Sequence, residues 1–181
     1  MNSLPDPSLD ILYIDNHLIA VRKPAGMLTQ QDDSGESSLM DHVKDWIKTE
    51  YKKPGKVFLG LVHRLDRPVS GVVVFARTSK GASRLSEQFR QKTTKKIYRA
   101  LVEGTPDPRK NHLTHYLRKE KTFKATVFPR PTPNASEAVL DYEVIKTLSN
   151  TSLLDIHLHT GRFHQIRAQL SFIGHPIVGD K

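Results

Sequence analysis

Leu61-Val62-His63-Arg64-Leu65-Asp66-Arg67-Pro68-Val69-Ser70-Gly71 runs directly into Val72-Val73-Val74-Phe75, a polar turn joined to an apolar strand. An acid on a turn beside a strand is held in place by its neighbours. The arginines at 64 and 67 favour the carboxylate form of Asp66 by charge attraction, which makes it available as a nucleophile or base. An arbitrary Arg-x-Asp-Arg more often means a surface acid between solvated arginines. A second polar cluster far downstream argues otherwise. Thr160-Gly161-Arg162-Phe163-His164-Gln165-Ile166-Arg167 places two arginines, a histidine and a glutamine at the start of an apolar helix.

Outward from these two clusters, the chain reads as many strands and few helices. Ile11–Ile14 and Leu18–Val21 are short strand patterns separated by Asp15-Asn16-His17, and Lys23-Pro24-Ala25-Gly26 breaks the chain after them. Ser38-Leu39-Met40-Asp41 has the form of a capping box with aspartate in the acidic role. Leu39, Val43, Trp46 and Ile47 follow at helical spacing, predicting a helix over residues 38–50. A strand reading spans Val57–Val62, and Gly71–Ala76 reads as a buried strand. A helix capped by Thr78 or Ser79 comes next, with Leu85 and Phe89 on its inner face.

Lys95–Gly104 alternates, placing Tyr98, Ala100 and Val102 on one face. Further strands are expected around Leu113–Leu117, Phe123–Phe128, Ala138–Ile145 and Leu153–His159. Ile166, Leu170 and Ile173 form a helical stripe that stops at Gly174. This balance of strands against roughly three helices argues an α+β fold with a mixed, mostly antiparallel sheet core, rather than alternating βαβ units.

With 181 residues, one domain with a real core is expected. The 28 Lys and Arg against 19 Asp and Glu give a net charge of +9, which steers the chain toward polyanions, nucleic acid first. The longest apolar runs are far too short to span a bilayer, and no basic-then-apolar segment at Met1–Pro7 marks a secretory signal. Cysteine is absent, which removes disulfides, thiol nucleophiles and cysteine-ligated zinc and is compatible with a reducing cytoplasm.

Several groups are ambiguous from sequence. Nine histidines invite a metal, and His157-x-His159 sets two imidazoles on one strand face. Without cysteines or a His-Glu-x-x-His pattern they read more simply as solvent- or RNA-facing, and no metal site is expected. Gly55-Lys56 lacks the rest of a phosphate-binding loop, so nucleotide hydrolysis is not expected. Tyr98 on an alternating strand usually means core packing. Arg162 and Arg167 near a helix start are unfavourable against its dipole, so an anion should compensate them: an RNA phosphate or an internal carboxylate such as Asp66.

Together the motifs resemble the RluA-type family of RNA pseudouridine synthases. The resemblance rests on Ile11-Leu12-Tyr13-Ile14-Asp15 with Lys23-Pro24-Ala25-Gly26, and on His63-Arg64-Leu65-Asp66 with Ser70-Gly71. It continues in Lys96-x-Tyr98-x-Ala100, in Thr160-Gly161-Arg162 with His164-Gln165-Ile166-Arg167, and in Gly174-His175-Pro176-Ile177. It implies a cofactor-free isomerase that flips a uridine of tRNA or rRNA, detaches the uracil, turns it and rejoins it through carbon 5.

By the same match Asp66 acts at the sugar, either by attack at C1′ or by removing the 2′ proton. Arg167 would pair with Asp66, Tyr98 would stack on the uracil, and Arg64 would fill the gap left in the RNA. His63, Arg162, His164 and Gln165 would also contact RNA. The sequence departs from the family in having Val69 before Ser70-Gly71 and Phe163 in the later motif, each where threonine is usual. Family domains usually continue beyond Gly179-Asp180, and some relatives carry a preceding S4-type RNA-binding domain. The expectation is therefore one catalytic domain over residues 1–181, without an S4 domain and short of the family's usual end, acting as a cytoplasmic monomer. The competing readings are a non-catalytic RNA-binding protein that retains the fold, expected to bind RNA without isomerising it, and a basic nuclease, expected to cut the chain.

Overall fold

The computed structural model describes residues 9–122 and 124–180, and the chain divides into two compact units, Met1–Gln91 and Lys92–Lys181. The strand reading that began at Phe123 therefore starts outside the described residues.

In the first unit, β1 (Ile11–Ile14), β2 (Leu18–Lys23), β3 (Gly60–Leu61) and β4 (Gly71–Ala76) form an antiparallel sheet in the order β1-β2-β4-β3. Alternation along β2 buries Ile19, Val21 and Lys23 on one face. Their partners on β4 are Phe75, Val73 and Gly71. The apolar run of β4 is not buried on both sides: Val73 and Phe75 are fully enclosed, whereas Val72 is 52% exposed, because the strand lies centrally in a sheet with one covered face. Only Gly60 and Leu61 of the expected Val57–Val62 strand join the sheet.

Helix α1 (Leu39–Glu50) starts as its sequence indicates. The Ser38 N–H and hydroxyl both donate to Asp41 Oδ2, at 3.0 and 2.6 Å, and Leu39, Val43 and Ile47 are buried. Helix α2 (Ser79–Arg90) is capped by Thr78, whose Oγ1 accepts from Gly81 N at 3.0 Å.

In the second unit, β5 (Ile97–Glu103), β6 (Lys110–Lys119), β7 (Ala125–Phe128), β8 (Ser136–Thr147) and β9 (Thr151–Leu158) form a five-stranded sheet in the order β5-β9-β8-β6-β7. Every ladder is antiparallel. One face carries the core of Val102, Leu113, Leu140, Val144, Leu154, Ile156 and Leu158, closed by Leu170 of α3 (Gln165–Phe172). Helix α3 ends at Ile173 with Gly174 at φ 86°, where the sequence placed its stop. The α+β class holds, realised among the described residues as two antiparallel sheets with three helices.

Candidate active site

Asp66 lies on the excursion between β3 and β4, two strands that pair directly, so the loop leaves the edge strand and returns to the strand beside it. Three groups hold it there. Lys23 is wholly buried because it stands in phase with Ile19 and Val21 on the apolar face of β2, opposite Gly71, which has no side chain to compete for the space. Its ammonium donates to the carbonyls of Met27 (2.7 Å), Pro24 (3.0 Å) and Arg67 (3.1 Å), which uses all three of its protons. Burial pushes the Lys23 ammonium below the usual lysine range, and the charge of Asp66 acts in the opposite direction.

The second group is the buried Thr29 hydroxyl, which donates to Leu65 O at 2.8 Å and accepts from Leu65 N at 3.2 Å. The third is Gly26, which exchanges bonds with Arg67: Gly26 N to Arg67 O at 2.8 Å, and Arg67 Nε to Gly26 O at 3.0 Å. Gly26 has φ 86°, a backbone region that other residues adopt only with strain. The residues on both sides of Asp66 are thus fixed from the turn that follows β2.

Around this loop, the predicted residues take distinct places. His63 Nε2 accepts from Val74 N at 2.9 Å, so its proton sits on Nδ1, and its ring stacks on Phe89 with centroids 5.2 Å apart. Arg64 is exposed. Arg67 forks onto Glu36 at 3.0 and 2.8 Å.

In the second unit, Tyr98 is half-buried on the core face of β5, in register with Ile156 and packed against the core. The turn from β9 into α3 is assembled by Gln165, which is 3% exposed. Its Oε1 accepts from Thr160 Oγ1 (2.8 Å) and Arg162 N (3.0 Å), and its Nε2 donates to Val139 O (3.1 Å). Gln165 therefore faces the protein interior. Lys96 Nζ reaches Thr160 O at 3.3 Å, and Arg162 Nε bonds Glu137 O at 2.8 Å.

His164, the residue ahead of the helix, is held at φ 50°. Its ring stacks on Phe163 at 3.7 Å between centroids, and Lys119 lies over Phe163. A non-glycine residue in this left-handed region stores strain of the kind that collects at functional sites. Arg167 follows one turn later. Its Nε and Nη2 fork onto Asp180 at 2.8 and 2.7 Å, and its Nη1 lies 3.2 Å from His164 Nδ1. Asp180 is thus an internal carboxylate that compensates an arginine at the helix start, as the dipole requires.

The residues that sequence reasoning passed over are Lys23, Thr29 and Asp180. Lys23 carried a signal, since it continues the alternation of Ile19 and Val21 into a face where a lysine needs a special reason. Thr29 and Asp180 carried none, because their partners are set by tertiary folding.

In sequence and fold the chain is similar to known proteins. The family model described as RNA pseudouridylate synthase matches residues 17–172. The chain belongs to that family. It is 34% identical over 183 residues to tRNA pseudouridine synthase C of Haemophilus influenzae, covering 95% of this chain and 74% of that protein. It is 32% identical over 184 residues to ribosomal large subunit pseudouridine synthase D of Zymomonas mobilis, covering 99% of this chain and 57% of that one. The solved structure of human RNA Pseudouridylate Synthase Domain Containing 4 superposes with a TM-score of 0.80 at 28% identity, covering 94% of this chain and 67% of that chain. The chain thus spans little more than half the length of several relatives it matches. Among the described residues no helix is long and apolar enough to cross a membrane.

Proposed function

We propose that this chain isomerises uridine to pseudouridine in RNA, with Asp66 as the reacting carboxylate. The observation that carries the reading is the clamp on residues 65 and 67, which fixes the backbone on both sides of Asp66 while leaving its side chain partly accessible. A reaction at a sugar carbon needs such fixed presentation. In it the C1′–N1 bond breaks, the uracil turns, and a C1′–C5 bond forms. C5 loses a proton and N1 gains one. The product is an isomer, and no cofactor is consumed. Asp66 acts either at C1′ or on the 2′ proton, and both routes need it ionised. Arg167 pairs with it, Tyr98 stacks on the turned uracil, and Arg64 occupies the gap in the RNA. Extruding the base costs a few kcal/mol, which these contacts offset. His63, Arg162, His164 and Gln165 shape the RNA-facing surface, His63 and Gln165 from within the fold.

The substrate we assign is structured RNA of the tRNA or rRNA class, acted on in the cytoplasm by a monomer. Relatives named for each of these RNAs support the class. Net charge +9 supports RNA association through phosphate contacts, which should weaken steeply with salt. The test is chemical mapping of pseudouridine in cellular RNA with the gene present, deleted, and replaced by Asp66→Ala. At least one site should vanish on deletion and stay absent with the variant. Restoration of every site by Asp66→Ala would contradict the assignment.

A further inference from the structure

The pleat of the second sheet gathers a set of donors on the face opposite Tyr98 and the core. Leu113 of β6, Leu140 and Tyr142 of β8, and Ile156 and Leu158 of β9 point into the core. The residues alternating with them, His112, Asp141 and His157, point the other way, and the register aligns them in one rung across three neighbouring strands. His159, just past the end of β9, reaches back to the same carboxylate. His112 Nδ1 lies 2.6 Å from Asp141 Oδ1, and His159 Nε2 lies 2.6 Å from Asp141 Oδ2. The three donor groups lie within 4.8 Å of one another, and the His157 and His159 rings are 4.5 Å apart between centroids.

The adjacent rung shows what ordinary pairing looks like on this surface. There Lys110 meets Glu143 at 2.8 Å and Arg99 meets Asp155 at 2.7 Å, so each acid has a cation of its own. Asp141 is met by two imidazoles instead. His112 and Asp141 also border an open depression in this face, so solutes can reach them.

We propose that His112, Asp141 and His159, with His157 as a fourth donor, form a binding site for a divalent late first-row transition ion, zinc being the reference case. Two imidazoles and one carboxylate, with no thiolate, suit zinc, nickel or copper rather than magnesium or calcium. Zinc bonds of about 2.0–2.2 Å set tetrahedral donors about 3.3 Å apart. Admitting the ion opens the two imidazole–carboxylate pairs, now at 2.6 Å, by about 0.7 Å and draws the wider donor separations, within 4.8 Å, in to the same spacing. Each imidazole proton now on the carboxylate moves to the other ring nitrogen or to solvent, which frees a lone pair for the metal. Rigid neighbouring strands hold three of the four donors, so little order must be gained on binding. The cross-strand register supplies what spacing along the chain did not show, since His157-x-His159 alone offers only two ligands.

Calorimetric titration of the purified chain with zinc chloride tests this, alongside the visible absorption of bound cobalt(II). One ion per chain should bind saturably, and cobalt should show the intense band of tetrahedral coordination. His112→Ala and Asp141→Asn, chosen because His112 is exposed and the asparagine is isosteric, should each weaken zinc by at least about tenfold. His42→Ala should not. Magnesium should give no heat. No saturable zinc binding, or binding unchanged in both variants while circular dichroism shows them folded, would overturn the site and leave a hydrogen-bonded surface cluster.

Discussion

Asp66 sits on a loop held from beneath by a buried ammonium and a buried hydroxyl, whereas the His164–Arg167 turn hangs from β8 by neutral bonds from Gln165 and Thr160. The first arrangement places a full charge on an apolar sheet face and satisfies it with three carbonyls. The second spends no buried charge but leaves His164 in a strained conformation. On the proposed function, the carboxylate that must be oriented for chemistry is the one whose loop is held by the buried charge. Arg162 and His164, proposed to face RNA, lie on the turn held by neutral bonds, with His164 at φ 50°.

The sharpest way to break this contrast is Lys23→Met. The variant retains the volume but takes the ammonium from the Pro24 and Met27 carbonyls and leaves Arg67 O with Gly26 N alone, and should lose about 3 kcal/mol of stability in denaturant unfolding. Gln165→Leu takes the acceptor from Arg162 N and removes one of several partners of the Thr160 hydroxyl and the Val139 carbonyl, none of them charged, and should lose about 1–2 kcal/mol by the same measurement. A loss as large as that of Lys23→Met would erase the distinction between the two devices.

Smaller changes sharpen it. Gly26→Ala forces alanine to φ 86° and should cost about 1–2 kcal/mol, although open space surrounds the added methyl. His164→Gly should act in the opposite sense, gaining up to about 1 kcal/mol by releasing strain while slowing pseudouridine formation. Arg67→Ala removes the exposed fork to Glu36 and the Nε bond to Gly26 O while leaving the backbone bond from Gly26 N, and should lose about 1 kcal/mol.

Much of this was legible in the chain. Alternation located β2, β5, β8 and β9, and helical spacing with local caps located α1, α2 and the end of α3, because these signals are carried by near neighbours. The β3 segment was overread because Val57–Val62 is apolar while only two of its residues find a partner strand. Asp66, Tyr98 and Arg167 stand out as candidates through their motifs. Their supports were not: Thr29 with Leu65, and Asp180 with Arg167, depend on tertiary folding and leave no periodic trace. The histidine cluster was half visible, since His157 and His159 are two residues apart in sequence while His112 and Asp141 join them only through register.

On the proposed function the clamped carboxylate performs the chemistry. Asp66→Asn keeps the size of the side chain and removes its charge. With the purified chain and a uridine-containing RNA under single-turnover conditions, the variant should form pseudouridine at least about a thousandfold more slowly while binding RNA within a few fold of the parent. Turnover within tenfold of the parent would contradict it.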